Sequence, residues 1–266
     1  KPSDENELNL GIAYGDEGQQ RYEIIGNLAV SDEFAVRLAY QHDEWEGMWE
    51  EVNSGDDAYQ ESDTVRLTAR WNPSDDFEAI LRANYSEAET NYTSALNTGL
   101  STVEPGEEYP DKYAINHPNY EEGENSGFGL RLTWNLSDTM TLVSITDVRT
   151  GENDYLEDAD GTDNDAAVDA IYGPITGGIT IPYSGTAEID TTYQEFRLSG
   201  GAEVLTWFAG ISYYNEETEA PDYLVDLIET AYGLGSLASI VVENEGDNDS
   251  YGVYGDATWN VTDNFA

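Results

Sequence analysis

The stretch Thr64–Ser86, TVRLTARWNPSDDFEAILRANYS, carries the pattern that the rest of the chain repeats. Val65, Leu67, Ala69 and Trp71 alternate with Thr64, Arg66, Thr68 and Arg70. That period of two sends one set of side chains to each face of a strand. Asn72-Pro73-Ser74-Asp75-Asp76 breaks the run. Proline removes a ladder donor, and Asn, Ser and Asp bond their own backbone, so these residues favour a tight reversal. Phe77, Ala79, Leu81, Ala83 and Tyr85 then alternate with Glu78, Ile80, Arg82 and Asn84. The result is a hairpin with one apolar and one polar face. In a water-soluble sandwich the apolar face is the core, whereas in a membrane barrel it meets lipid between two aromatic girdles. One hairpin is compatible with both.

Composition narrows the classes. Fifty-five acidic against ten basic residues give a net charge of −45 in 266 residues, which repels phosphate backbones and argues against nucleic-acid binding. The acidic excess is compatible with a saline habitat, with cation binding, or simply with solvated acidic loops. Without cysteine there are no disulfides and no thiolate metal sites. No run approaches the ~18 apolar residues of a membrane helix. Membrane barrels escape that test because only alternate residues meet lipid.

The same alternation recurs along the chain. Leu8–Tyr14 and Tyr22–Val30 form a first hairpin, Phe34–Tyr40 continues it, and Phe128–Trp134, Thr139–Thr150, Tyr193–Leu198, Leu205–Tyr213 and Tyr251–Val261 follow. Between 139 and 150, Leu142, Val143 and Ile145 leave the inward face open. Segments 43–62, 87–125 and 151–190 lose the period and read as loops. Short helices are expected at Asp165–Tyr172 and around Leu224, Leu227, Ile228 and Ala231. Short turns fall at Ser31-Asp32, Ser74-Asp75, Ser137-Asp138, Gly200-Gly201 and Thr262-Asp263. Tight turns at one end and long loops at the other are the arrangement of an outer-membrane barrel. Trp71, Trp134 and Trp259 lie near the turns, and Tyr14, Tyr40, Tyr85 and Tyr213 near the loops, as two girdles would require.

Several segments resemble one family. They are the Trp71-Asn-Pro-Ser-Asp-Asp turn, Gln194-Glu-Phe-Arg-Leu-Ser199, Leu205-Thr-Trp-Phe-Ala-Gly-Ile-Ser-Tyr-Tyr214 and Tyr251-Gly-Val-Tyr-Gly-Asp-Ala-Thr-Trp-Asn-Val-Thr-Asp263. Their order is similar to that in the barrel of TonB-dependent outer-membrane receptors, with Lys1-Pro2 resembling the junction after that family's plug. The resemblance spans residues 1–266 and implies an all-β fold. The expected architecture is an antiparallel transmembrane β-barrel segment of ~10 strands from a barrel of about 22, with long extracellular loops. The plug, the TonB box and the later strands would lie outside this stretch. The family also implies active transport of a scarce nutrient (siderophore, vitamin, oligosaccharide or peptide) across a Gram-negative outer membrane. Its partners would be outer-membrane lipid and the TonB-ExbB-ExbD system. The competing expectations are a passive porin or adhesin barrel and a secreted acidic β protein binding carbohydrate or calcium.

Catalysis has little support, with two histidines, no cysteine and no hydrolase, metalloprotease or P-loop signature. The polar-face Arg66, Arg70, Arg82, Arg131 and Arg197 are the candidates for an anionic ligand, against pairing with acidic neighbours or the plug. Asp158, Asp160, Asp163 and Asp165 resemble the opening of a calcium loop, against a solvated acidic loop; the spaced closing Glu is lacking. No other cofactor is expected. His42 and His117 are expected in loops, where a surface imidazole competes with a metal role.

Overall fold

The computed structural model describes residues 1–47, 49–53, 55, 58–91, 112–158, 161–164, 166, 182–202, 204–220, 224–226, 239–240 and 243–259. The strands are β1 (Glu7–Tyr14), β2 (Gln20–Ala29), β3 (Phe34–Trp45), β4 (Glu50–Glu51), β5 (Gln60–Ser74), β6 (Phe77–Thr90) and β7 (Lys112–Tyr113). They continue with β8 (Tyr120–Ser137), β9 (Met140–Asp158), β10 (Pro182–Ala202), β11 (Leu205–Ala220), β12 (Leu224–Asp226), β13 (Ser239–Ile240) and β14 (Asn244–Trp259). One antiparallel path runs β1-β2-β3-β5-β6-β8-β9-β10-β11-β14, each long strand pairing with the next in the chain. β4 and β7 form a small parallel ladder between two loops.

The tight turns are built as their residues dictate. Ser31 Oγ accepts from the amides of Glu33 and Phe34 at 3.2 and 3.1 Å. The register slips between Trp71 and Ser74, so Pro73, which has no amide to donate, sits where the ladder needs none. A similar slip separates Asn135 from Ser137. Each turn is laced to its neighbour: Asn72 N donates to Glu33 O and Asn135 N to Asp76 O, both at 2.7 Å. Gly200-Gly201 belongs to β10 rather than to the turn, which comes after Ala202. The Thr262-Asp263 turn and most of the Asp165–Tyr172 stretch lie outside the described residues.

The two faces of the sheet have opposite solvent exposure from those of a soluble sandwich. In direct register lie Leu38, Leu67, Ala83, Phe128 and Val148. On this face Leu8, Leu10, Ile12, Ile24, Leu67, Phe128, Ile211 and Val253 are all exposed, Val253 by 87%. The buried apolar residues Ala35, Ile80 and Val143 are on the other, polar face. Their packing explains the mixed pattern of 139–150: Leu142 belongs to the exposed face, while Val143 and Ile145 fill the polar one. A continuous exposed apolar band of this size is a surface made for another apolar phase.

The band also tilts. Through successive ladders Trp71 aligns with Ala79, Leu132, Ser144, Phe196, Ile211 and Val253. Trp134 lies one pair nearer the turns than Leu132, Trp207 two pairs nearer than Ile211, and Trp259 three pairs nearer than Val253, six residues by 259 − 253. This steady stagger is what strands inclined to a barrel axis require if their aromatics are to lie at one depth. Trp71, Phe77 and Trp134 meet edge to face, with centroids 6.0 and 6.5 Å apart. Substituting Leu67, near mid-band, by arginine is expected to cost ~2–4 kcal/mol of stability in a bilayer. Urea titration of the full-length protein refolded into lipid vesicles measures it.

The strands run further than alternation indicates. β5 starts at Gln60, β6 continues to Thr90, β8 starts at Tyr120, and within 151–190 β9 runs on to Asp158 and β10 starts at Pro182. On the apolar face these extensions carry Asp63, Glu87, Glu124, Glu152, Glu188, Glu219 and Glu245 side by side across adjacent strands. Glu44, Glu61, Glu89, Glu122 and Asp154 form a second row beyond them. Both faces are polar there, so no hydropathy period survives to announce a strand. Like charges opposed across a ladder repel. Raising ionic strength from about 0.01 M to about 0.5 M should therefore raise the melting temperature. Scanning calorimetry at the two salt levels checks the sign.

Candidate functional site

All eight arginines lie on the polar face. Ladder register places Arg37, Thr68, Arg82, Asp147, Tyr193 and Tyr214 in one row. Arg66, Asn84, Arg149 and Thr191 share the next, and Arg70, Ile80, Arg131, Ile145 and Glu195 a third. Arg197 faces Val143, and Arg21 faces Asp43.

Their surroundings divide them. Arg70 is almost covered and bonds Asp4, part of an N-terminal segment that crosses this face; Asn27 Nδ2 donates to Ser3 O at 3.0 Å and Glu5 O at 2.6 Å, and Lys1 reaches Glu78. Arg37 pairs with Glu7 at 3.8 Å, Arg149 with Asp147 at 2.6 Å, and Arg21 with Asp43. Arg197 Nε stands 3.9 Å from Glu195, whose Oε1 is buried without a hydrogen bond and whose other oxygen accepts from Tyr193. Arg66, Arg82 and Arg131 are exposed and make no ion pair among the described residues, in a chain with 55 carboxylates. Arg66 and Arg149 border a cleft of about 810 Å³ together with Asn84, Asp147, Tyr193 and Tyr214. The cleft offers cationic forks, amide and phenol groups, a chemistry suited to carboxylate, phosphate or phenolate oxygens.

The acidic stretch 158–165 is built around Asp158. Its carboxylate is fully buried and accepts from the amides of Asn116 at 3.1 Å, His117 at 3.3 Å and Gly161 at 3.1 Å, while its own amide donates to Asn119 Oδ1 at 2.6 Å. Asp158 thus ties the segment before β8 to the end of β9. Asp163 is half-buried, and Asp160 and Asp165 lie outside the described residues. Nearby, the Tyr59 phenol donates to Glu89; burial first, and that hydrogen bond second, push its pKa up to about 12. His42 is on β3, not in a loop, while His117 is in the β7–β8 connection. Residues 224–226, expected as helix, form β12, which pairs with β10 at Tyr183 and Ser184; residues 227–233 lie outside the described residues. The ladder to β10 gives these backbone groups partners that a leucine spacing cannot reveal.

No family model matches the sequence, and no curated protein sequence matches it significantly. Solved structures do match. The ferric-catecholate import receptor Fiu of E. coli K12, in its closed form, superposes over 98% of this chain with a TM-score of 0.71 at 12% identity. This is the barrel fold of the TonB-dependent receptors. The ferric preacinetobactin receptor BauA of Acinetobacter baumannii matches with a TM-score of 0.64, 16% identity and 97% coverage. The ferric yersiniabactin uptake receptor FyuA of Yersinia pestis gives 0.65, 10% and 99%. The chain spans 40%, 39% and 46% of those three structures, a ten-stranded section of barrel wall. In that wall the apolar face is the outside and the arginine-bearing face is the lumen.

Proposed function

We propose that the chain is part of the wall of an outer-membrane import receptor whose lumen receives an anionic nutrient. The reading is supported chiefly by the inverted sheet, with its apolar band outward and its eight arginines inward. The fold neighbours, among them receptors for ferric chelates, support the same reading. Arg66, Arg82 and Arg131 are the ligand contacts, being the exposed arginines that form no ion pair among the described residues. Arg70 and Arg197 hold Asp4 and Glu195 and shape the wall around them. Uptake draws on the TonB-ExbB-ExbD system through segments outside this stretch, and the long loops make the first encounter. A metal-loaded siderophore fits the cationic cleft better than a neutral vitamin or oligosaccharide does, because its ionised oxygens replace the carboxylates the arginines lack.

The test is cell fractionation of the source organism combined with growth on anionic chelates as sole iron supply. The full-length protein is expected in outer membranes, extractable only with detergent, and its deletion should abolish growth on one chelate. A soluble species, or uptake that survives loss of the proton-motive force, would overturn the reading in favour of a secreted β protein or a passive pore.

A further inference from the structure

The barrel exterior carries a group of side chains that transport does not use. Just beyond the tyrosine level of the apolar face, His42 of β3 lies opposite Asp63 of β5, and Glu61 follows two residues away on the same face. His42 Nδ1 stands 3.1 Å from Asp63 Oδ1 and 4.0 Å from Glu61 Oε1. Ligand atoms of all three lie within 4.8 Å of one another. The imidazole stacks on Tyr22, centroids 5.9 Å apart at 27°, which fixes its plane. The Tyr40 hydroxyl donates to Asp63 Oδ1 at 2.6 Å, orienting the carboxylate in the way an outer partner orients a metal ligand. No lysine or arginine among the described residues pairs with Asp63 or Glu61.

We infer that His42, Asp63 and Glu61 bind one divalent transition cation, of the Zn²⁺ class. One imidazole nitrogen with two carboxylates is a donor set for such ions, whereas Ca²⁺ and Mg²⁺ take oxygen alone. The ladder already holds the three groups together on rigid strands, so little ordering cost remains to be met on binding. The surrounding charge favours a dication. Across the ladders Glu44 lies opposite Glu61 and Glu87 opposite Asp63, so a single positive charge would leave the cluster strongly anionic. Three protein ligands leave a further position for water on the outside of the barrel.

The test is Zn²⁺ titration of the chelator-treated full-length protein in detergent, with excess Mg²⁺ occupying the acidic rows. One saturable site is expected, and Co²⁺ in its place should give visible absorption characteristic of mixed nitrogen and oxygen ligands. His42→Ala and Asp63→Asn should each weaken binding at least about tenfold. His42→Gln, which keeps the polar surface, serves as the folding control through its metal-free melting temperature and should lose the site as well. Equal Zn²⁺ affinity in the parent and the His42 variants, or no saturable binding in the parent, would overturn the assignment. Neither result bears on uptake, so the transport reading stands or falls separately.

Discussion

Replacing Arg66 and Arg82 together by alanine is expected to weaken ligand binding by at least two orders of magnitude while leaving the barrel folded. A hydrogen bond to a charged group contributes ~1.5–3 kcal/mol, and about 1.4 kcal/mol corresponds to tenfold in affinity. Each lost arginine therefore removes roughly 10- to 100-fold. Folding is spared because both side chains are exposed and hold no carboxylate of the described chain. Arg70→Ala is the contrasting variant: it removes the anchor of Asp4 on the lumen face, so its effect belongs in stability. Calorimetric titration of the purified full-length receptor with its chelate, beside a melting curve for each variant, separates the two. Lysine at both positions should restore part of the affinity, since it keeps the charge and loses the planar fork. Unchanged affinity in the double alanine variant would remove these arginines from the ligand site.

Asp158→Ala should produce the largest loss of order on the loop side, on the order of 3 kcal/mol or more. The carboxylate satisfies three backbone amides, those of Asn116, His117 and Gly161, in a fully buried position. Alanine leaves those donors without this acceptor, and each buried unsatisfied group costs ~1–3 kcal/mol. Asparagine should rescue only partly, because an NH₂ group replaces one of the two accepting oxygens. Hydrogen exchange reports the site directly. Amides 116, 117 and 161 should lose protection while those of β5 and β6 keep theirs, and uniform protection in the variant would contradict the assigned role.

Alternation was legible where one face of a strand meets an apolar phase and the other stays polar, and failed over 139–150, where Val143 and Ile145 fill the polar face. Val65, Leu67, Ala69 and Trp71 announce β5 because lipid on one side and polar groups on the other sort the residue types by face. Gln60–Asp63 of the same strand carries no such signal, since water lies on both sides of it. The same cause hid the ends of β6, β8, β9 and β10, and brought His42 out of an expected loop and into a ladder with Asp63. Arg66, Arg70, Arg82, Arg131 and Arg197 were read as polar-face residues from parity alone, and register puts them there together with Arg21, Arg37 and Arg149. Which of them already hold a carboxylate was not legible. Asp4 and Arg70 are 66 positions apart, and nothing local couples them.

By itself the sequence determined the faces of the strands with clean alternation, the tight turns at Ser31-Asp32, Ser74-Asp75 and Ser137-Asp138, the aromatic levels and the acidic character, because each follows from residue type and near neighbours. Only the tertiary structure decided which side of the sheet is exposed, how far the strands stagger and which arginines remain open. It also decided that Asp158 serves the backbone and that His42 shares a site with Asp63 and Glu61. Those properties depend on pairing between strands distant along the chain, and pairing is set by the summed register of the whole sheet rather than by any one segment.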